Sequence, residues 1–146
     1  MKSNNAPVTG VGAVVFHNSQ VLLVRRKNAP SPGQWAIPGG KLRFGETLQE
    51  GAEREVLEET GIRIRADEPV YAFDVIETDT NGEPILHYVV VDLAATYIDG
   101  TPVGTDDALD ARWFNVEELD KFPVNKTTRQ LLSRYADFEW RRKNSI

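Results

Sequence analysis

Apolar positions along the chain follow two rhythms. Val11-Gly-Ala-Val-Val-Phe16 and Val21-Leu-Leu-Val24 are compact β-rich runs separated by polar His17-Asn-Ser-Gln20, which predicts a hairpin. Pro30, Pro32 and Gly33 mark Asn28–Gly33 as a loop, and Trp35-Ala-Ile37 reads as a short strand stopped by Pro38-Gly39-Gly40. The rhythm then changes: Leu48, Ala52 and Val56 recur at i, i+4 and i+8, the apolar stripe of a helix over Thr47–Thr60. Thr47 and Glu50 form a T-x-x-E capping box, and Gly61 stands where a left-handed cap ends the helix. Gly51 inside it costs about 1 kcal/mol relative to alanine, which points to a close approach by a neighbouring segment. The β rhythm returns in Val70–Glu77 and Ile85–Ile98, joined by the Asn-Gly-containing loop Thr78–Pro84, and again in Ala111–Phe114 after a polar loop at Asp99–Asp107. Val116–Lys121 predicts a short helix and Thr127–Tyr135 a longer one. Strands, a central helix, more strands and a terminal helix predict a mixed α/β domain with helices covering a sheet.

At 146 residues, with no repeat and no dividing linker, the chain is expected to be one domain over 1–146. Cysteine is absent, which excludes disulfides, a thiolate zinc site and a cysteine nucleophile. The N-terminus lacks the apolar run of a signal peptide, and no stretch approaches the roughly 18 apolar residues of a membrane span. The expectation is therefore a cytoplasmic protein with no membrane partner. A net charge of −5 argues against nucleic acid as a partner. The charge is unevenly spread, however. Residues 1–45 contain no acid and six bases: Lys2, Arg25, Arg26, Lys27, Lys41 and Arg43. Glu46, Glu50, Glu53, Glu55, Glu58 and Glu59 crowd the next segment.

Glu55, Glu58 and Glu59 stand at i, i+3 and i+4 and share one helix face. Like charges at this spacing destabilise a bare helix by a few tenths of a kcal/mol per pair. Arg54 alone does not neutralise that face, whereas a hard divalent cation would. Mg²⁺ binds through a few carboxylates, waters and substrate phosphates. A solvated acidic face is the plainer alternative. Against it stand the apolar stripe, which fixes how the helix docks, and a nearby Pro-Gly-Gly loop whose amides suit phosphate oxygens.

Gly40-Lys-Leu-Arg-Phe-Gly-Glu46, seven further residues, and Arg54-Glu-Val-Leu-Glu-Glu-Thr-Gly-Ile62 match the pattern G-x5-E-x7-R-E-U-x-E-E-x-G-U, where U is bulky and aliphatic. A chance match to all its defined positions is on the order of one in a billion per start position. The segment resembles the Nudix box. The Val-Arg-Arg strand end, Trp35 before Pro-Gly-Gly and Trp113 after an acidic loop resemble bacterial Nudix enzymes as well. The resemblance implies an α/β/α sandwich in which a mixed central sheet is flanked by the box helix and a C-terminal helix.

It also implies a metal-dependent hydrolase acting on a pyrophosphate link, with Mg²⁺ as cofactor and Mn²⁺ as a substitute. Glu55 and Glu59 would be the principal metal ligands, joined by Glu58, as ligand or part of the base system, and by the carbonyl of Gly39 or Gly40. Arg54 would orient the glutamates and Glu46 would hold the loop to the helix. A base in a later loop would be Asp107, with Asp106 close enough to exchange roles; the plain alternative is a turn acid. Arg25 and Arg26 end a strand and point to opposite faces, so one of them can meet phosphate while the other meets solvent. Lys41 and Arg43 lie in the box loop within reach of phosphate. Trp35 and Phe73 are base-stacking candidates, but core packing is the commoner role for aromatic residues in a small α/β domain, and His87 reads as a partly buried structural histidine. The resemblance to small ADP-ribose pyrophosphatases implies ADP-ribose or a related nucleoside diphosphate sugar as a small-molecule substrate. The rivals are a MutT-like triphosphate pyrophosphohydrolase and a non-catalytic nucleotide sensor. A homodimer is compatible with the exposed strand residues.

Overall fold

The structure, a computed structural model, describes residues 6–28, 31–105 and 107–134. The expectations for Pro30, Asp106 and Tyr135 lie outside these residues. Strand β1 (Val8–His17) turns through Asn18 and Ser19, both at positive φ, into β2 (Gln20–Arg26). That is the predicted hairpin, with Phe16 opposite Val21 and His17 opposite Gln20. Short strands β3 (Trp35–Ala36) and β4 (Gly39–Lys41) follow, then helix α1 (Leu48–Thr60). The long strands β5 (Arg63–Thr78) and β6 (Pro84–Asp99) form a hairpin, β7 (Ala108–Phe114) pairs with β2, and a 3₁₀ helix spans Val116–Asp120. Residues 126–134 are helical and are called α2.

The sheet is mixed, because β1 runs parallel to β6 from Val8 opposite Tyr88 to Phe16 opposite Thr96. On its other side β1 is shared. Its end pairs with β2, while Gly10–Gly12 pair with β4. β2 in turn leaves β1 and takes β3, with Val24 opposite Ala36. The sheet therefore forks between β1 and β2, and residues 35–41 fill the fork. The amide of Ala13 donates to the Pro38 carbonyl at 3.1 Å, which ties the insert to β1.

Period-two alternation on β1 sends Val11, Ala13 and Val15 to one face, where they pack with Leu22, Leu93, Ile62, Ile64 and the Ala52–Val56 stripe of α1. Val14 goes to the other face, into a core with Leu23, Trp35, Phe114, Leu131 and Leu132. A helix thus covers each face, and the α/β/α architecture holds. Helix α1 keeps both predicted caps: the reciprocal Thr47–Glu50 box at one end and left-handed Gly61 at the other.

Two strand expectations need correction. Pro38-Gly39-Gly40 ends β3 as read, but Gly39–Lys41 then form a strand of their own. A Cβ on Gly39 would stand 2.4 Å from the Val11 carbonyl oxygen, so only glycine lets the chain come this close to β1. Strand β5 begins at Arg63, not Val70. The alternation of exposed Arg63 and Arg65 with buried Ile64 and Ala66 carries it there, past register shifts around Pro69. Gly51 does meet a close neighbour, since a Cβ there would lie 2.6 Å from a Leu42 methyl. Trp35 belongs to the core, edge-on to Phe114, and His87 is half-buried against Asp74 across the β5–β6 hairpin.

Candidate active site

The fork opens into a cleft of about 800 Å³. Its floor is the main chain of β1 at Gly10 and Gly12. One end is built from Gly39, Gly40, Lys41, Arg43 and the Glu55 and Glu59 side chains of α1, with Arg26 and Asp107 also in the wall. The other end is lined by Phe73, Val75, Tyr88, Val90 and Asp92 of the β5–β6 hairpin.

Arg54 organises the helix acids. Its guanidinium donates to both Glu46 carboxylate oxygens, to Glu55 at 2.9 Å, to Glu58 at 2.8 Å and to the Lys41 carbonyl at 3.0 Å. Helix α1 and the 40–47 loop are thereby joined by a planar, multiply bonded cation. The Arg54 hydrogen bonds, with the Arg43 amide, hold Glu46 at a pKa of about 2. The Arg54 guanidinium is itself pushed above its ordinary range, chiefly by Glu46.

Glu59 is only 6% exposed and accepts the Gly39 amide at 2.8 Å. Burial raises its pKa to about 8. The Gly39 hydrogen bond and the Arg26 charge oppose the rise, while the Glu55 and Asp107 charges add to it. Glu55 lies over Gly40, where a Cβ would fall 2.5 Å from its carboxylate. Two carboxylates thus face glycine backbone, in a recess that any side chain at position 40 would fill. This suits Mg²⁺, which is commonly held by one or two carboxylates with substrate phosphates completing its shell. Among the described residues no group of three or more His, Cys, Asp or Glu side chains stands in metal-holding geometry. Glu58 is outside the cleft wall and is turned to Arg54 at 2.8 Å and to Arg43 at 3.6 Å.

Asp107 reaches the cleft because its loop is bonded to the end of α1. The amides of Val103 and Thr105 donate to the Thr60 and Glu59 carbonyls, each at 3.0 Å, and the Thr105 hydroxyl donates to the Glu58 carbonyl. The last carbonyls of a helix lack partners within it, and here a loop supplies them. Asn28 donates to the Asp107 carboxylate at 3.4 Å.

Of the residues singled out in the sequence, Arg26, Gly39, Gly40, Lys41, Arg43, Arg54, Glu55, Glu59 and Asp107 line one cleft. Arg25 does not. It is exposed on the opposite side of β2 and donates to the Gly33 carbonyl at 3.4 Å. Phe73 lines the cleft, whereas Trp35 does not. The apolar and polar pattern did not single out Asp92 or Asn125, both of which line it. Asn125 caps α2, accepting the Thr128 amide at 3.1 Å, and donates to Ser31. Asp92 interrupts Val89-Val90-Val91 and Leu93, and an acid inside an apolar strand was the available signal.

A NUDIX domain model matches residues 6–135. The chain belongs to the Nudix family. It is 31% identical over 115 residues to an ADP-ribose pyrophosphatase of Methanocaldococcus jannaschii, covering 79% of this chain and 66% of that protein. It is 30% identical over 106 residues to the oxidized purine nucleoside triphosphate hydrolase of Mus musculus, covering 73% and 65%. The chain thus spans slightly under two thirds of the length of these curated relatives. A MutT NUDIX hydrolase from Burkholderia pseudomallei superposes with a TM-score of 0.74 at 32% identity, covering 88% of this chain and 98% of that one. Among the described residues no helix is long and apolar enough to cross a membrane.

Two expected results follow from this Nudix site. Gly40→Ala places a methyl into the Glu55 carboxylate and is expected to lower turnover about 100-fold or more, since a small misplacement of catalytic groups costs that much. The melting temperature should change little, because the flexible carboxylate moves first. Steady-state kinetics and a melt check this, and full activity would place the cation elsewhere. The second concerns pH. Burial raises Glu59 to about 8 and Asp92 to about 7, so the fold holds protons that the unfolded chain releases near pH 4. Stability without a divalent cation should fall as pH rises from about 4 to 8. A cation that replaces the Glu59 proton should raise the melting temperature more at pH 9 than at pH 6. Melts in EDTA and in Mg²⁺ across this range measure it; a cation effect independent of pH would remove Glu59 from the metal site.

Proposed function

We propose that the chain is a Mg²⁺-dependent pyrophosphohydrolase that cleaves a nucleoside diphosphate linked to a second group, with ADP-ribose or a related nucleoside diphosphate sugar as substrate. The observation that carries this reading is the Glu55–Glu59 pair over glycine backbone in the same cleft wall as Arg26, Lys41 and Arg43. Opposite signs meet there, as binding a cation and a diphosphate together requires.

Glu55 and Glu59 would hold the metal, which supplies neutralisation of phosphate charge and a more acidic bound water. Arg26, Lys41 and Arg43 take the diphosphate oxygens and orient them for in-line attack. Asp107, at the cleft edge, accepts the proton of the attacking water. Arg54 keeps Glu55 and Glu58 in place and touches no reacting atom. The apolar end, with Phe73 and Tyr88 above bare β1 backbone, seats the nucleoside.

A second reading, a triphosphate pyrophosphohydrolase, is favoured by the likeness to the mouse oxidized purine nucleoside triphosphate hydrolase. The products separate the two. With Mg²⁺ or Mn²⁺, ADP-ribose should give AMP and ribose phosphate, whereas a nucleoside triphosphate would give a monophosphate and pyrophosphate. Turnover of triphosphates alone would select the second reading, and no turnover of any diphosphate or triphosphate substrate would overturn both.

A further inference from the structure

Four polar or charged side chains are buried among the described residues: Glu59, Thr60, Asp92 and Thr128. Three have evident partners. Glu59 accepts the Gly39 amide, Thr60 donates to the Val56 carbonyl and Thr128 accepts the Ile37 amide. Asp92, 3% exposed, has no hydrogen-bond or ion-pair partner among the described residues. A buried carboxyl left in this state weakens the fold, and its persistence asks for a use.

Its place in the sheet suggests one. On β6, Val91, Leu93 and Ala95 pack toward α1. Alternation sends Tyr88, Val90 and Asp92 to the opposite face, where all three line the cleft beside Phe73 and Val75. Asp92 stands opposite Gly12, and a Cβ on that glycine would lie 2.5 Å from the Asp92 Oδ1. The missing side chain leaves room for the carboxyl over the bare floor. Gly12 pairs in turn with Gly39, so Asp92 is two ladder steps, about 10 Å, from the diphosphate end.

We propose that Asp92 is a specificity-determining residue that reads the hydrogen-bonding edge of the nucleobase and selects an amino-substituted purine. The inference rests on the reading of the cleft as a nucleotide site and adds to it which atoms of the nucleoside are recognised. A largely apolar wall, here Phe73, Val75 and Val90, with a buried polar group converging on it is how small-molecule sites fix orientation. A neutral carboxyl offers one donor and one acceptor side by side, the complement of an adenine edge, where an amino group donates and a ring nitrogen accepts. Burial favours that neutral form, raising the group to about 7. Discrimination follows from the same desolvation. A base without the amino group would leave the Asp92 oxygen without a donor, and sites built this way reject such analogues strongly.

The test is calorimetric binding of AMP and of purine riboside 5′-monophosphate, which lacks the amino group, in Mg²⁺ at pH 6.5. The wild-type protein should bind AMP about tenfold or more tightly than the analogue. Asp92→Leu should lose that preference by weakening AMP while leaving the analogue within about twofold. Asp92→Asn, which keeps a donor and an acceptor in place, should retain the preference, a rescue that a purely structural role does not predict. A wild-type protein without preference, no AMP binding, or an unchanged preference in Asp92→Leu would each overturn the proposal. Should Asp92→Leu fail to fold, loss of the preference in Asp92→Asn would overturn it and retention would support it. Because binding is measured without turnover, this result stands apart from the product assay.

Discussion

Replacing Glu59 with glutamine is expected to lower turnover by about 10²–10³-fold or more, the cost of losing one preorganised electrostatic group at a reacting centre. The fold should survive. Glutamine retains an oxygen to accept the Gly39 amide, which Glu59 now accepts at 2.8 Å, and it fills the same buried space. The substitution removes a charge that burial already resists, so without a divalent cation the variant should be at least as stable as the wild-type protein at pH 9. The Mg²⁺ concentration needed for half-maximal rate should rise in parallel. Initial rates over a Mg²⁺ titration, with melts at pH 7 and 9, measure all three. Near-normal rates would remove Glu59 from the metal set.

The largest expected stability effect belongs to Arg54→Ala. The side chain is 17% exposed and touches Glu46, Glu55, Glu58 and the Lys41 carbonyl. Its removal leaves three carboxylates close together without their shared cation. Deleting one partner from a buried pair costs about 3–5 kcal/mol. The lower figure suits this half-covered site and corresponds to a drop of roughly 6–12 °C in melting temperature. Turnover should fall too, because Glu55 loses the contact that holds it over Gly40. Arg54→Lys should recover only part of either loss, since an ammonium lacks the planar fork that reaches several acceptors at once. Thermal melts of both variants decide the matter, and a wild-type melting temperature in Arg54→Ala would show that the acids are held by other means.

Helix α1 was legible in the sequence to the residue, because its caps and stripe are local signals that agree with one another. The box glutamates were equally legible as a set, but the direction in which Glu58 turns was not. It depends on where Arg54 and Arg43 reach, and that is decided by the path of the 40–47 loop. The same holds for Arg25 and Arg26. Alternation required them to diverge, and only the pairing of β2 with β3 and β7 chose which one faces the cleft. Strand β4 was hidden because Pro38-Gly39-Gly40 has the composition of a turn. Its strand character comes from β1 alongside it, a long-range pairing that local propensity does not carry. Asp92 was visible as an oddity, but its exposure to a cleft required knowing that β6 lies beside β1 in parallel.

The fork in the sheet separates what can drift from what cannot. Gly10, Gly12, Gly39 and Gly40 make the cleft floor and the recess beneath Glu55 out of main chain, and Cβ atoms at Gly12, Gly39 and Gly40 would collide with their surroundings. The far end is made of side chains on the β5–β6 hairpin, whose β5 is the edge of the sheet. Substitutions at Phe73, Val75 or Tyr88 can therefore reshape what the cleft accepts without disturbing the strand split that shapes its floor. A lineage carrying this fold is free to change its substrate by ordinary point mutation, while the chemistry stays fixed by backbone that tolerates almost none.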